Sequence, residues 1–456
     1  MPFLHAVNNI TNNINDIQSN QISPLSVEGL NENNFKGGFK LEPSATTSEE
    51  QKYRLDTVNS SLNITKKNTE KVLLTQNAAN TYGLVMPSIE LIPKQKDQLS
   101  VLEQQVLLLV VTKIWDCVVS NNLYYFYTIP TQNEQLEKCS PKTPQQRLQE
   151  VVNRATIHDY QILMELYGIT SIDHATDLSV LALYDIIELI DDSTSMRYTG
   201  YKNFLGYEDK VTDFDPEEIN LITGEDNNNL SRWDKVIKLI KITSYTTTLF
   251  DSDGISLRFF NKNHLQIPSD NGVSLCDNVS SPQLIDKLFT LYKNEDGKNT
   301  PQGGTNIGSC IKKTFDEIVQ KSLKTQTLSK PVLVLIYTDG ASNDLIIPVI
   351  REIRKEFNQT KYGSRGMVFS FNQIGNDDVA RRMLETLDTD SDDKNPNIGA
   401  GPIVDCTSVF KIEKIEYDRA QNKLPKELKT PYTPAFHIIK GLVGPIMEKY
   451  DKADEV

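Results

Sequence analysis

The sequence predicts an α/β fold in which a doubly wound, mostly parallel sheet is flanked by helices. Two observations lead to this prediction. From residue 185 onwards, apolar runs of strand length alternate with segments of helical periodicity, the pattern of a parallel sheet covered on both faces. Two of these runs are followed directly by an aspartate, Asp191 and Asp339, at the strand ends where open α/β sheets bind ligands. We expect this domain to span residues 183–450.

The apolar runs predict the elements of this domain one by one. Strands are expected at residues 185–190, 255–260, 332–338, 367–374 and 402–405. Helices are expected at residues 232–247, 282–293, 306–323, 344–357, 376–387 and 435–450. The first helix has the clearest start, because Ser231 can cap it and Trp233, Val236 and Ile240 share one apolar face.

The first 180 residues are predicted to precede the sheet. Residues 1–80 are polar, Asn-rich and poor in aromatic side chains, a composition typical of disorder. Residues 95–180 are predicted to be mainly helical, because apolar residues recur every three or four positions along the first part of this region. The aromatic run 124–127 predicts a strand or an extended packing segment. Whether the helical region packs on the sheet domain stays open.

Charge and composition argue against several classes of function. A formal net charge of −13 and a pI near 5.1 disfavour binding to nucleic acid or to anionic membranes. The five cysteines are sparse and show no zinc-site or redox-pair spacing, which suits a reducing compartment. No signal peptide is visible, and the longest aliphatic run, 106–111, is too short to span a bilayer. We expect a cytoplasmic protein, with a nuclear location left open.

Three segments carry oxygen-bearing side chains at positions where a ligand site of such a sheet would lie. The first follows the strand at 185–190, the second is a glycine turn near residue 303, and the third follows the strand at 332–338. In chain order they supply Asp191, Ser193, Ser195, Thr305 and Asp339. Carboxylate and hydroxyl oxygens are the hard ligands that Mg²⁺ prefers over nitrogen or sulfur.

Asp-x-Ser-x-Ser after one strand, then Gly-Gly-Thr, then Thr-Asp-Gly after a second strand resembles the von Willebrand factor A domain. The resemblance covers roughly residues 183–450 and implies a Rossmann-like fold with a metal-ion-dependent adhesion site. It implies that Ser193 and Ser195 bind Mg²⁺ directly, with Mn²⁺ or Ca²⁺ as alternative ions. Thr305 would bind directly or through water. Asp191 and Asp339 would act through water or as hydrogen-bond acceptors, and Asp192 would occupy a variable position.

The resemblance also implies what completes the site. Neutral hydroxyl ligands leave a divalent cation under-neutralised, so an open coordination position favours an anionic oxygen from outside. The chain is therefore expected to be an intracellular protein–protein interaction module whose partner supplies a Glu or Asp side chain. No catalytic residue is predicted. The sequence gives no prediction of the oligomeric state.

Other interpretations of the same residues remain. Asp191 and the serines after it could merely cap a helix. The carboxylates could serve a Mg²⁺-dependent phosphohydrolase, although Asp-x-Asp-x-Thr chemistry needs an aspartate where Ser193 stands. The domain could also be a subunit that works beside a separate AAA-type ATPase. The acidic insertion at residues 197–230 departs from the family pattern and is expected to be a solvated loop, or else a lid or partner-specific flap.

Overall fold

A computed structural model of the 456-residue chain gives the fold of most of the predicted sheet domain. It describes residues 84–85, 110, 113–127, 129–130, 160, 163–164, 169, 172–198, 230–251, 254–263, 274–292, 300–340, 342–391, 403–423, 431–451 and 453. The expected disorder of residues 1–80 falls outside the described residues. Most of the insertion at 197–230 does so as well, and with it the expectation of a loop, lid or flap.

Five parallel strands form the central sheet, which confirms the α/β class. They are β1 (Asp185–Ile190), β2 (Ser256–Phe259), β3 (Val332–Thr338), β4 (Met367–Gln373) and β5 (Val404–Thr407). Their order across the sheet is β2-β1-β3-β4-β5, and every neighbouring pair is parallel. The predicted bounds of β1 and β3 are correct, whereas β5 begins two residues later than predicted.

Besides the helical segment at residues 113–120, seven helices of eight or more residues accompany the sheet in the described part of the chain. They are α1 (Arg232–Phe250), α2 (Pro282–Leu291), α3 (Ile307–Thr314), α4 (Ile346–Asn358), α5 (Asp378–Ser391), α6 (Phe410–Gln421) and α7 (Pro434–Val443). A π-helical turn, Phe315–Val319, continues α3 into a further turn at Gln320–Lys324. None of the described helices is long and apolar enough to cross a bilayer.

Two helical predictions need correction. The sequence did not predict α6, because its apolar residues are interleaved with charges and only Phe410, Glu413 and Tyr417 are buried. The helix predicted at 435–450 ends at Val443, where a 3₁₀ turn, Gly444–Ile446, replaces it. Pro445 explains the break, since proline has no N–H with which to continue the helical ladder.

The first helix begins as predicted. The Ser231 side chain accepts from the backbone N–H of Asp234, and the Asp234 carboxylate accepts from the backbone N–H of Ser231, which forms a capping box. Trp233, Val236 and Ile240 are buried in the main hydrophobic core. Since capping fixes the first turn, it also fixes the position of Arg232 at the sheet edge.

The strand order creates a switch point between β1 and β3. The chain leaves β1 towards β2 on one side of the sheet, and it leaves β3 towards β4 on the other. Right-handed crossovers therefore place α1 and α4 on opposite faces. Loops that diverge in this way leave a crevice at the carboxyl ends of the strands, the usual ligand position in doubly wound sheets.

The described part of the 95–180 region is helical at residues 113–120, Tyr124–Tyr127 and Ile172–Asp177. The aromatic run 124–127 was predicted to be extended, and this was wrong. Phe126 stacks on Tyr362 with ring centroids 5.1 Å apart, and Asn121 Nδ2 donates to Ile446 O at 2.9 Å. These residues therefore share the hydrophobic core of the sheet domain.

One buried carboxyl interrupts the apolar face of the sheet. Glu188 lies in the middle of β1 and is fully buried. Thr243 Oγ1 and Ser244 Oγ of α1 lie 3.3 and 3.2 Å from its two carboxyl oxygens. Burial raises the pKa of Glu188 to about 8, and the two hydroxyl hydrogen bonds only partly oppose that shift.

We expect Glu188 to make the stability of the fold depend on pH. Because its pKa is raised in the folded state, its contribution is fully present below about pH 4.5 and is lost as pH rises through about 8. Glu188→Gln keeps the shape without the charge, so it should be more stable than wild type at pH 8.5 by roughly 2–4 kcal/mol. Urea denaturation of both proteins at pH 5 and pH 8.5 measures this. An equal pH dependence in both proteins would contradict the assignment.

Candidate functional site

The parallel pairing of β1 and β3 brings the two predicted aspartates to one edge of the sheet. Ile190 lies opposite Tyr337 in the register, so Asp191 and Asp339 follow strands that end side by side. The backbone N–H of Asp191 donates to Tyr337 O at 2.9 Å, which extends the pairing by one residue. Both aspartates are fully buried.

Hydrogen bonds join four of the five predicted residues into one chain. Asp191 Oδ1 accepts from the backbone N–H of Ser193 at 2.8 Å. The hydroxyl oxygens of Ser193 and Ser195 lie 2.9 Å apart, and Ser195 Oγ donates to Asp339 Oδ1 at 2.8 Å. The second oxygen of Asp191 accepts from Thr338 Oγ1 at 2.7 Å. The loop after β1 is therefore tied directly to the end of β3.

The fifth residue, Thr305, reaches the same place from the glycine turn. It is buried, and a methyl group added at Gly340 would lie 3.6 Å from its hydroxyl oxygen. Its carbonyl accepts from the backbone N–H of Asn343 at 2.7 Å. Thr305 therefore lies beside the residue that follows Asp339.

A glycine is required in this turn. Gly303 has a φ of +121°, and a Cβ there would lie 2.3 Å from Asn261 Oδ1. The turn is also pinned to the loop after β1, because Gly303 O accepts from Thr194 N at 3.0 Å and Gln302 N donates to Asp192 O at 2.7 Å. The structure thus brings all five predicted residues together at the switch point.

The spacing of the oxygens suits a small divalent cation. Ligands about 2.0–2.1 Å from an octahedral Mg²⁺ lie ~2.8–3.0 Å from their nearest neighbours. The separations from Ser193 Oγ to Ser195 Oγ and from Ser195 Oγ to Asp339 Oδ1 are 2.9 and 2.8 Å. Without an ion, hydrogen bonds span the same distances. The donor set is entirely oxygen, and its neutral hydroxyls leave room for an anionic ligand.

Two buried carboxyls at one edge oppose each other electrostatically. Burial, and secondly the charge of Asp339, raise the pKa of Asp191 to about 7. Burial also raises the pKa of Asp339, although Arg232 and the Ser195 hydroxyl favour its ionised form. A cation between these groups would favour ionisation of both. A cation bound here would therefore compete with protons.

Arg232 is a site residue that sequence reasoning missed. Its Nη1 lies 2.9 Å from Asp339 Oδ2. Ser195 donates to the other carboxylate oxygen, Oδ1. The side chain passes over Gly375, which has a φ of +82° and whose added Cβ would lie 2.4 Å from Arg232 Nε. The backbone N–H of Arg232 donates to Tyr198 O at 3.0 Å, so both ends of the 197–230 insertion meet beside the site.

Asp192, which the motif implies to be a variable position, makes structural contacts in this chain. It is buried, and its Oδ1 accepts from the backbone N–H of Asn261 at 2.8 Å and from Asn261 Nδ2 at 3.1 Å. Its Oδ2 accepts from the backbone N–H of Lys262 at 2.9 Å and from Tyr292 Oη at 2.8 Å. Asp192 therefore holds the end of β2 and the end of α2 against the loop that carries the site.

No protein-family model matches the chain, and no curated protein matches it in sequence. Within the described residues, no three His, Cys, Asp or Glu side chains are grouped so as to hold a metal ion. The candidate set has only two carboxylates and depends on hydroxyl ligands for the rest. The case for a cation therefore rests on the positions of these five side chains and on the spacing of the Ser193, Ser195 and Asp339 oxygens.

We expect Asp192 to stabilise the fold. Asp192→Ala removes a buried acceptor from four donors at once, so it should lower the free energy of unfolding by about 2–4 kcal/mol. Asp192→Asn keeps the size and one acceptor oxygen and should lose less. Urea denaturation at pH 7 measures both changes. An Asp192→Ala protein as stable as wild type would show that these four hydrogen bonds contribute nothing net.

Proposed function

We propose that the chain is a von Willebrand factor A-type interaction module. It binds a carboxylate of a protein partner through a divalent cation, Mg²⁺ by preference, with Mn²⁺ or Ca²⁺ as alternative ions. Ser193, Ser195 and Thr305 supply neutral oxygens to the cation. Asp191 and Asp339 supply the negative charge that holds it, directly or through water. The bound cation supplies an under-neutralised positive charge at its open position.

The observation that carries this proposal is the hydrogen-bonded chain from Asp191 through the two serines to Asp339. Asp339 lies 144 positions after Ser195 in the sequence, yet both occupy one edge of the sheet at its switch point. If they only capped helices, the serine hydroxyls would accept from backbone N–H groups. Instead, Ser195 Oγ donates to the carboxylate of Asp339, directly after β3, and the Ser193 side chain makes no capping hydrogen bond to the turn it precedes.

The surroundings of the site favour a protein partner. Among the described residues, four large apolar side chains are exposed, and three of them lie in a loop or in the first turn of a helix that follows a strand. Tyr198 lies after β1 and is 43% exposed, Leu345 after β3 at 75%, and Val379 after β4 at 58%. Exposed apolar groups around a polar centre are typical of protein–protein contact surfaces. A partner segment that presents a carboxylate flanked by apolar side chains would match this surface.

The alternative function of a phosphohydrolase requires a second aspartate where this site has a serine. Asp-x-Asp-x-Thr phosphohydrolases use a second aspartate two residues after the first, and Ser193 stands at that position. The Ser193 hydroxyl contacts the hydroxyl of Ser195 and the carboxyl of Asp191. A separate ATPase as the protein partner is compatible with the proposal, because that partner need only present the carboxylate.

We expect the wild-type chain to bind Mn²⁺ and Mg²⁺. Calorimetry should detect binding to wild type and none to Asp191→Ala or to the Ser193→Ala/Ser195→Ala double variant. The affinity of wild type should rise between pH 6 and pH 8, because the cation binds the ionised form of Asp191, whose pKa is about 7. Ser309→Ala, which changes an exposed serine near the same edge, is the matched control.

Equal Mn²⁺ binding by wild type and Asp191→Ala would place any cation elsewhere. Circular dichroism of each variant separates loss of the cation from loss of the fold. The double serine variant should keep the fold, since its hydroxyls hold a loop at the sheet edge rather than the core.

We further expect the three exposed apolar residues near the strand ends, Tyr198, Leu345 and Val379, to contribute to partner binding but not to cation binding. We call them the apolar rim. Proteins captured in Mg²⁺ by wild type and not by Asp191→Ala are the candidate partners. Leu345→Ser should weaken capture of these proteins about tenfold, while its Mn²⁺ affinity stays at the wild-type value. Ile415→Ser is the control: Ile415 lies in the second turn of α6 and is 41% exposed, and its substitution should not change capture. Undiminished capture by Leu345→Ser would show that the apolar rim is not part of the partner-binding surface.

A further inference from the structure

Arg232 is held in place from three directions. Its backbone N–H donates to Tyr198 O, and the Ser231–Asp234 capping box fixes the first turn of α1 around it. Its side chain lies against the backbone of Gly375, where a residue with a Cβ would collide with it. Its guanidinium is mostly buried and pairs with Asp339 at 2.9 Å. A charge fixed in this way acts on the site whether or not a partner is present.

The guanidinium makes the site one charge unit more positive than its oxygen ligands alone. It contacts Asp339 Oδ2, while Asp339 Oδ1 faces the two serines. It therefore repels a cation among the serines without blocking the oxygens there. Asp377 adds a more distant negative charge, but its carboxylate accepts the backbone N–H groups of Val379 and Ala380 at the start of α5. The positive end of that helix offsets part of the charge.

We propose that Arg232 determines the ligand specificity of the site: it loosens the hold on the divalent cation and makes the cation-loaded site select an anionic ligand. This inference rests on the proposed function, since it concerns the same cation. The same positive charge that weakens binding of the first, cationic ligand strengthens binding of the second, anionic one. A site without Arg232 would hold its cation more tightly and would accept water in the open position more readily.

The test compares variants that remove the charge with variants that keep it. Arg232→Gln should bind Mn²⁺ about tenfold more tightly than wild type in calorimetry, whereas Arg232→Lys should stay close to wild type. Arg381→Gln removes a partly exposed arginine of α5 that pairs with Asp378 and Glu385, and it should leave Mn²⁺ affinity unchanged. Gly375→Ala should shift the affinity in the same direction as Arg232→Gln, because its methyl group displaces the guanidinium.

A second measurement follows the anionic ligand with acetate as the probe. Water-proton relaxation reports the water that remains on protein-bound Mn²⁺. Acetate should displace this water from wild type at roughly tenfold lower concentration than from Arg232→Gln. A structural role alone would not move the two affinities in opposite directions. Circular dichroism and thermal midpoints identify any variant that has lost the fold.

The two proposals fail in different ways. If wild type binds Mn²⁺ and Asp191→Ala does not, the cation site stands. If Arg232→Gln then binds Mn²⁺ no more tightly than wild type, or acetate binds both equally, the inference on Arg232 is overturned. If wild type binds no Mn²⁺ at all, both proposals are overturned together.

Discussion

The parallel pairing of β1 with β3 is the constraint on which the candidate site depends. It places Asp191 and Asp339 at adjacent strand ends, where the two following loops leave for opposite faces. The hydrogen bond from Thr338 Oγ1 to Asp191 Oδ2 fixes this register at its last residue. A shift by one residue would turn Asp339 towards the opposite face and break the link through Ser195. The fold and the site are therefore specified by the same pairing.

The cost of this arrangement is electrostatic. Burial raises the pKa of both carboxyls, and the charge of Asp339 raises that of Asp191 further, so ionisation of both at one edge is costly. Arg232 partly offsets that cost by pairing with Asp339. A bound cation would offset it further, so cation binding and fold stability are linked. The same edge therefore holds two buried carboxyls and one fixed guanidinium charge.

The sequence was sufficient for the parts of this structure that have local signals. Strand lengths, the Ser231 cap and the order of the oxygen-bearing segments predicted β1, β3 and the convergence of the five side chains. It was insufficient where the partner is remote. Asp192 binds residues that lie 69 to 100 positions further along the chain, and nothing beside it signals them. The pairing of Arg232 with Asp339, and its approach to Gly375, likewise span more than 100 residues. Helix Tyr124–Tyr127 was missed because four consecutive aromatic residues favour a strand until tertiary packing decides otherwise.

The loop after β1 divides two tasks between neighbouring residues. Successive side chains of extended backbone point to opposite sides, and Ser193 is still extended, with φ of −70° and ψ of 166°. Asp191 and Ser193 consequently face β3 and the other oxygens of the site, whereas Asp192 faces β2 and α2. Asn261 joins the two sides, because it donates to Asp192 and also to Gly304 O in the turn that delivers Thr305. Asp192, between two residues of the candidate site, therefore helps to position a third, Thr305. This explains how the hydroxyl groups of the candidate site can be held in a fixed geometry by the surrounding loops.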